Sequence, residues 1–91
     1  MEPLTRRLTI LNKRGLHARA SAKFVQTVEK FDASVNVTKD GMNVGGTSIM
    51  GLMMLAAGIN STILVSAAGA EAEPALDAIE ALIADRFGED G

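Results

Sequence analysis

The sequence predicts an α+β domain of two layers, in which a small β-sheet is covered on one face by helices. Segments with alternating apolar and polar residues indicate strands, and apolar residues three or four positions apart indicate helices. In chain order the elements read β-α-β-β-α-β-α. A chain of 91 residues is long enough for one domain with one modest core, which we expect to span residues 1–91.

The first strand is predicted over residues 4–11, where apolar and polar side chains alternate. Residues 12–15 are polar and end in glycine, which indicates a loop. A helix is predicted from Ala18, because apolar residues then recur at helical spacing. The residues expected on its buried face are Phe24, Val25, Val28 and Phe31.

Asp40 and Gly41 are predicted to form the two-residue turn of a β-hairpin that joins residues 35–39 to residues 42–44. A type I′ turn needs positive φ at both positions, and Asp-Gly is a preferred pair for it. In the resulting register, one face of the hairpin carries Val35, Val37, Lys39, Met42 and Val44.

The second half of the chain adds a short helix, a strand and a longer helix. Ser48 is predicted to cap the short helix at residues 49–55, and the fourth strand is predicted over residues 62–67. The last helix has Pro74 in its first turn and ends at Gly88. Its apolar stripe consists of Leu76, Ile79, Leu82, Ile83 and Phe87.

Composition narrows the function classes. Without cysteine and with one histidine, the chain offers no disulfide or thiolate chemistry, and we expect neither a metal nor another cofactor. The Gly45–Thr47 segment is followed by no Gly-Lys-Ser/Thr, so it is not a nucleotide-binding P-loop. No apolar run approaches the ~20 residues of a membrane span, and the first residues lack a signal-peptide layout. We therefore expect a cytoplasmic protein that does not bind membranes.

Charge is distributed unevenly along the chain. The formal net charge is −2, but residues 1–39 hold eight Lys or Arg and three acidic residues, whereas residues 40–91 hold one Arg and eight acidic residues. The histidine lies in the basic half, which favours anionic ligands or acidic partners. A nucleic acid is not expected as the partner, because the chain has no Trp or Tyr for base stacking and is acidic overall.

The only histidine, His17, lies where the first helix is predicted to begin. The backbone amides of Ala18, Arg19 and Ala20 then lack helical acceptors and favour an anion. Arg19 adds a cation that suits a phosphate, and Gly15 permits a sharp turn. A neutral imidazole there could attack a phosphoryl group and hold it. From spacing alone, an inert capping or surface histidine is equally compatible.

The segment Gly15–Val25, GLHARASAKFV, resembles the active-site segment of HPr, the histidine phosphocarrier family of the bacterial phosphoenolpyruvate-dependent phosphotransferase system. Chain length, element order, the Lys39–Gly41 turn and the segment Ser48–Gly51 agree with that family. The resemblance implies an open-faced β-sandwich with four antiparallel strands and three helices on one face. It also implies that His17 receives phosphate from enzyme I on Nδ1 and passes it to a IIA-type acceptor, with help from Arg19.

One residue departs from the usual family pattern. Ala20 stands after Arg19, where the family usually has proline, and both residues are compatible with a first helical turn. Alanine restores a backbone N–H donor beside the histidine. It also resembles the nitrogen-related (NPr) branch, so the choice between sugar uptake and nitrogen regulation stays open.

Two further features belong to the second helix. By itself, Ser48 is an ordinary N-cap, but the resemblance implies phosphorylation by an HPr kinase/phosphorylase, which would add negative charge. Residues 49–55 hold more apolar side chains than one buried face needs, so some are expected to be exposed. The apolar side chains of this segment either fill the core or form a docking patch for partners. The resemblance implies that Ile49 and Met50 contact enzyme I and the acceptors, and we expect Met53 to dock partners with them.

The leading hypothesis is therefore a monomeric phosphocarrier that recognises proteins and is an intermediate in phosphoryl transfer, not a stand-alone enzyme. An alternative is a non-catalytic regulatory module controlled through Ser48, which would not need His17. A third is an acid–base or phosphatase-like enzyme that uses His17. It is disfavoured because no partner carboxylate lies at motif spacing and no small-molecule pocket is evident.

Overall fold

A computed structural model describes residues 2–90, and its elements follow the predicted order. The strands are β1 (Leu4–Thr9), β2 (Ser34–Lys39), β3 (Met42–Gly45) and β4 (Thr62–Ala68). The helices are α1 (Ala18–Val28), α2 (Ile49–Met54) and α3 (Ala72–Ala84), and a 3₁₀ turn follows at Arg86–Gly88. The predicted α+β class is confirmed.

The four strands form one antiparallel sheet in the order β1-β4-β2-β3. The last strand in sequence, β4, lies between β1 and β2, where Ile63 pairs with Leu8 and Val65 pairs with Val37. These four side chains are buried on the face that the helices cover. Because β4 lies in the interior of the sheet, it connects the first strand to the hairpin.

The β2–β3 hairpin has the predicted turn and register. Asp40 and Gly41 have φ values of 50° and 82°, so both adopt the left-handed conformation that a type I′ turn requires. Lys39 pairs with Met42, and Val37 pairs with Val44.

The helices bury apolar faces against the sheet and against each other. The buried side chains of α1 include Phe24, Val25 and Val28, and α3 buries Leu76, Ile79 and Ile83. Each large side chain of this kind stabilises the fold by about 1.5–3 kcal/mol when fully buried.

Three details of the sequence prediction are wrong. The first strand ends at Thr9, two residues earlier than predicted. Phe31 is not on the face of α1, because that helix ends at Val28, and Phe31 is only half-buried. Phe87 is buried but does not continue the α3 stripe, because Arg86 and Phe87 have positive φ and leave the right-handed helix.

Within residues 2–90, none of the helices is long and apolar enough to cross a membrane.

Candidate functional site

His17 lies at the N-cap of α1, in extended backbone with φ −72° and ψ −180°. The first helical hydrogen bond runs from the Ser21 amide to the His17 carbonyl, at 2.8 Å. The amides of residues 18–20 therefore precede the helical hydrogen-bond pattern and are available to an anion at this end of the helix. The structure thus brings the histidine and the three predicted amides to one helix end.

The loop before His17 depends on Gly15. This residue has a φ of 63°, and its amide donates to the Asn12 carbonyl at 3.2 Å. A Cβ atom at Gly15 would overlap the Ala57 carbonyl and would lie 2.8 Å from the Gly58 Cα. The next residue, Leu16, donates its amide to that same Ala57 carbonyl at 3.0 Å. Glycine is thus required for the close approach that fixes the backbone on which His17 stands.

The imidazole of His17 faces a carboxylate. Its Nε2 atom hydrogen-bonds the Oε2 atom of Glu89, a residue 72 positions later in the chain. The side chains of His17 and Glu89 are only 16% and 19% exposed. The sequence offers His17 no partner carboxylate at motif spacing. The fold supplies one by bringing Glu89 to the site from 72 positions away.

The carboxylate is itself held by Asn12. The Asn12 Nδ2 atom donates to Glu89 Oε1 at 3.0 Å and to the Gly15 carbonyl at 2.9 Å. Asn12 is fully buried, and its Oδ1 atom has no hydrogen-bond partner among the residues that the structure describes. Because both partners of Nδ2 are acceptors, they determine the orientation of the amide.

The charges around Glu89 favour its ionised form. Burial acts to raise the pKa of the Glu89 carboxyl, but hydrogen bonds from Asn12 and His17 act in the opposite direction. The positive charges of His17, when its ring is protonated, and of Arg14 act in the same direction as those hydrogen bonds. The net result is a pKa for Glu89 below its ordinary value, so the carboxylate stays charged at the histidine.

An open pocket of about 250 Å³ surrounds the pair. Arg19 is exposed on the first turn of α1 and lies beside His17, as predicted, but the pocket that both residues line was not evident from the sequence. The pocket is mixed in charge rather than purely basic, because two acidic residues from the C-terminal end complete it. Its lining consists of Lys13, Arg14, His17, Arg19, Glu89 and Asp90.

Ser48 caps α2, as predicted. Its Oγ atom accepts a hydrogen bond from the Gly51 amide at 2.9 Å, and the residue is exposed. A Cβ atom at Gly51 would lie 2.9 Å from that Oγ atom, so the absence of a side chain there leaves room for the cap. The hydroxyl is therefore both a structural cap and accessible from solvent.

The predicted excess of apolar residues on α2 is confirmed. Leu52 and Leu55 are buried, whereas four apolar side chains of the helix remain exposed. We call these four the apolar patch: Ile49, Met50, Met53 and Met54, exposed by 41%, 74%, 42% and 65%. Met53 also lines a groove that contains Arg14 and His17, so the patch is continuous with the histidine site.

Sequence reasoning did not identify Asn12 and Glu89 as site residues. Asn12 lies in a polar segment that predicts only a loop, and Glu89 lies beyond the end of the last predicted helix. Within residues 2–90, no three His, Cys, Asp or Glu side chains are grouped to hold a metal ion.

Comparison with known proteins places this chain in a family. The family model described as PTS HPr component phosphorylation site matches residues 4–85. The phosphocarrier protein HPr of Cupriavidus necator is 52% identical over 86 residues, which are 94% of this chain and 97% of that protein. The phosphocarrier protein NPr of Shewanella violacea is 40% identical over 89 residues, 98% of each chain.

A solved structure agrees with the fold. The crystal structure of HPr from Thermoanaerobacter tengcongensis is 42% identical, with a TM-score of 0.89 over 100% of both chains. The chain belongs to the HPr family of phosphocarrier proteins, and its four-stranded antiparallel sheet with three helices is the open-faced sandwich of that family.

Proposed function

We propose that His17 carries a phosphoryl group on Nδ1, receives it from enzyme I and passes it to a IIA-type acceptor in the cytoplasm. The observation that supports this role is that the two ring nitrogens have different surroundings. Nε2 is bound to Glu89, whereas Nδ1 makes no hydrogen bond within residues 2–90. The free nitrogen belongs to a ring at a helix N-terminus, in a pocket that also holds Lys13, Arg14 and Arg19.

In the transfer step, the lone pair of Nδ1 attacks the phosphorus atom of the phosphorylated donor. The Nδ1–P bond forms as the bond between phosphorus and the donor atom breaks, and that electron pair remains on the donor. The Nε2–H proton stays on the ring during the step. Transfer to the acceptor follows the same path with Nδ1 as the leaving atom, so the carrier is returned unchanged.

Positive groups offset the charge of the phosphoryl group. Arg19 offers a planar set of N–H donors at the pocket, which suits phosphate oxygens. The amides of residues 18–20 and the helix dipole add contributions of about 0.3–1 kcal/mol each for an exposed site. Contributions of this size hold a phosphate without trapping it, as reversible transfer requires.

Partner proteins would dock beside the histidine on the apolar patch. Exposed Met side chains adapt to surfaces of different shape, which suits a carrier that meets a donor and several acceptors. Ile49, Met50 and Met53 are the residues we assign to docking. A phosphate on Ser48, at the start of the same helix, would place about −1.5 to −2 charges beside that surface and weaken docking.

Intact-protein mass spectrometry tests the carrier role. Wild type, His17→Ala and Ser48→Ala are incubated with enzyme I, phosphoenolpyruvate and Mg²⁺. We expect one acid-labile phosphate on wild type and on Ser48→Ala, and none on His17→Ala. The absence of phosphate from wild type, with enzyme I of the same organism, would refute the proposal and favour a binding module controlled through Ser48.

The acceptor is tested separately. Phosphorylated wild type is offered in turn to a sugar-specific IIA protein and to a nitrogen-related IIA protein of the same organism. Faster loss of phosphate to one of them assigns the branch.

A further inference from the structure

The chain turns sharply after α3 through three successive residues with positive φ. Arg86, Phe87 and Gly88 have φ values of 55°, 54° and 76°. Glycine adopts this conformation readily, but residues with a side chain avoid it. Two successive non-glycine residues in this region persist only where surrounding contacts require them, and such sites are often functional. We call residues 85–89 the C-terminal turn.

Several contacts hold the C-terminal turn in place. The Phe87 side chain is 1% exposed and packs into the core. The Lys23 Nζ atom, on α1, donates to the Phe87 carbonyl at 2.5 Å. Within the turn, the Gly88 and Glu89 amides donate to the carbonyls of residues 85 and 86, at 3.0 and 2.9 Å. The turn is thus fixed to the same helix that carries His17 at its N-terminus.

The result of this turn is the position of Glu89. Both of its carboxylate oxygens are used, Oε1 by Asn12 and Oε2 by His17. The Asn12 amide is in turn anchored to the Gly15 carbonyl in the histidine loop. The carboxylate is therefore held from two sides, by the C-terminal turn and by the loop before α1. Glu89 lies outside the residues 4–85 that the family model matches.

We propose that Glu89 is a positioning residue for His17, and this inference rests on the proposed phosphocarrier function. A carboxylate accepts hydrogen bonds and donates none, so Nε2 must carry the ring proton to bond it. The lone pair of the neutral ring then lies on Nδ1, the nitrogen that makes no hydrogen bond within residues 2–90. Glu89 thus selects the tautomer and fixes the ring plane, as acidic partners do for other histidine nucleophiles and bases.

The carboxylate also supports the transfer step. When Nδ1 bonds to phosphorus while Nε2–H remains, the ring gains positive charge. The negative charge of Glu89 at Nε2 offsets this charge as it develops, on the side of the ring away from the phosphoryl group. Asn12 and the C-terminal turn serve to keep Glu89 at that nitrogen.

The first test reads the ring directly by NMR. In ¹⁵N-labelled wild type at neutral pH, we expect a His17 Nε2–H signal that exchanges slowly with water. Glu89→Ala should accelerate that exchange or abolish the signal. The matched control is Asp90→Ala. Asp90 is an acidic residue of the same pocket, but its side chain makes no hydrogen bond within residues 2–90.

The second test is the rate of phosphorylation by enzyme I. Glu89→Ala should lower kcat/KM by roughly tenfold, which corresponds to about 1.4 kcal/mol of transition-state stabilisation. The control for the rate is Glu73→Ala, which removes an exposed acidic residue in the first turn of α3, outside the pocket. It should keep the wild-type rate, and circular dichroism should show that both variants are folded.

Two results would overturn the positioning role. One is an unchanged Nε2–H signal in Glu89→Ala. The other is an equal loss of rate in Glu73→Ala, which would indicate a general effect of charge. If wild type takes up no phosphate at all, the proposed function fails, but the NMR comparison still decides whether Glu89 controls the ring.

Discussion

Replacing Gly15 with alanine tests whether the close approach beneath the histidine loop fixes the site. Gly15 and Gly41 both have positive φ, 63° and 82°, so alanine at either position pays the cost of a left-handed conformation, about 1–2 kcal/mol. Their surroundings differ. A Cβ atom at Gly41 would have no heavy atom within 4 Å, whereas one at Gly15 would overlap the Ala57 carbonyl. Gly41→Ala is therefore the matched control.

The extra cost at Gly15 follows from that overlap. The backbone at residues 57–58 must move away, and the hydrogen bond from the Leu16 amide to the Ala57 carbonyl is weakened or lost. One such bond is worth about 0.5–1.5 kcal/mol, and leaving its buried groups unpaired costs more. We expect Gly15→Ala to lower the free energy of unfolding by about 3 kcal/mol, against about 1 kcal/mol for Gly41→Ala.

Urea unfolding of the two variants measures this difference, and phosphorylation by enzyme I measures its effect on His17. Gly15→Ala should lose both stability and rate, and Gly41→Ala should keep the wild-type rate. Equal losses of stability in the two variants would refute the reasoning, because positive φ alone would then set the cost.

Two further predictions concern α2. Ser48→Ala should lower the free energy of unfolding by about 1 kcal/mol, because the cap to Gly51 is lost. Ser48→Asp should restore most of that stability but raise KM for enzyme I. Urea unfolding measures the stability and transfer kinetics measure KM, and an equal loss of stability in the two variants would contradict the capping role. Met50→Lys should change stability by no more than about 0.5 kcal/mol but raise KM for enzyme I, whereas Leu64→Lys, on the uncovered face of the sheet, should leave KM unchanged.

Local sequence signals predicted those parts of the fold that short-range physics determines. The Asp40–Gly41 turn fixed the hairpin register because only certain residue pairs tolerate two successive positive φ angles. The N-caps at His17 and Ser48 were predicted because each residue immediately precedes a segment with helical spacing of apolar residues.

The strand order could not be predicted in the same way. The placement of β4 between β1 and β2 depends on which buried faces fit together across the whole chain, and alternation of apolar residues does not encode it. The end of α3 was also missed. Phe87 continues the helical spacing in the sequence. Its side chain is buried, but its backbone lies in a left-handed turn and not in the helix.

The half of the site nearest in sequence, His17 with Arg19 and the amides of the first turn, was predicted from spacing and resemblance. The other half was not, because Glu89 reaches the histidine only through the C-terminal turn, and Asn12 holds it from within an unremarkable polar loop. Contacts across 72 residues leave no periodic signal in a single sequence.

That long-range contact should be visible in the acid stability of the protein. Hydrogen bonds from Asn12 and His17 and nearby positive charge outweigh burial and lower the pKa of Glu89 in the folded state. Between this lowered pKa and the ordinary value of about 4.3, the unfolded chain binds more protons at Glu89 than the folded one, so stability rises with pH there. The contribution of Glu89 is complete above about pH 4.3 and is lost as pH falls through the folded-state pKa. Urea unfolding of wild type and Glu89→Ala across this range should show a stability difference that shrinks on acidification. Asp90→Ala should lose as much stability on acidification as wild type does. A difference that is constant with pH, or that grows on acidification, would mean that the ionised Glu89 carboxylate does not hold the C-terminal turn to the histidine.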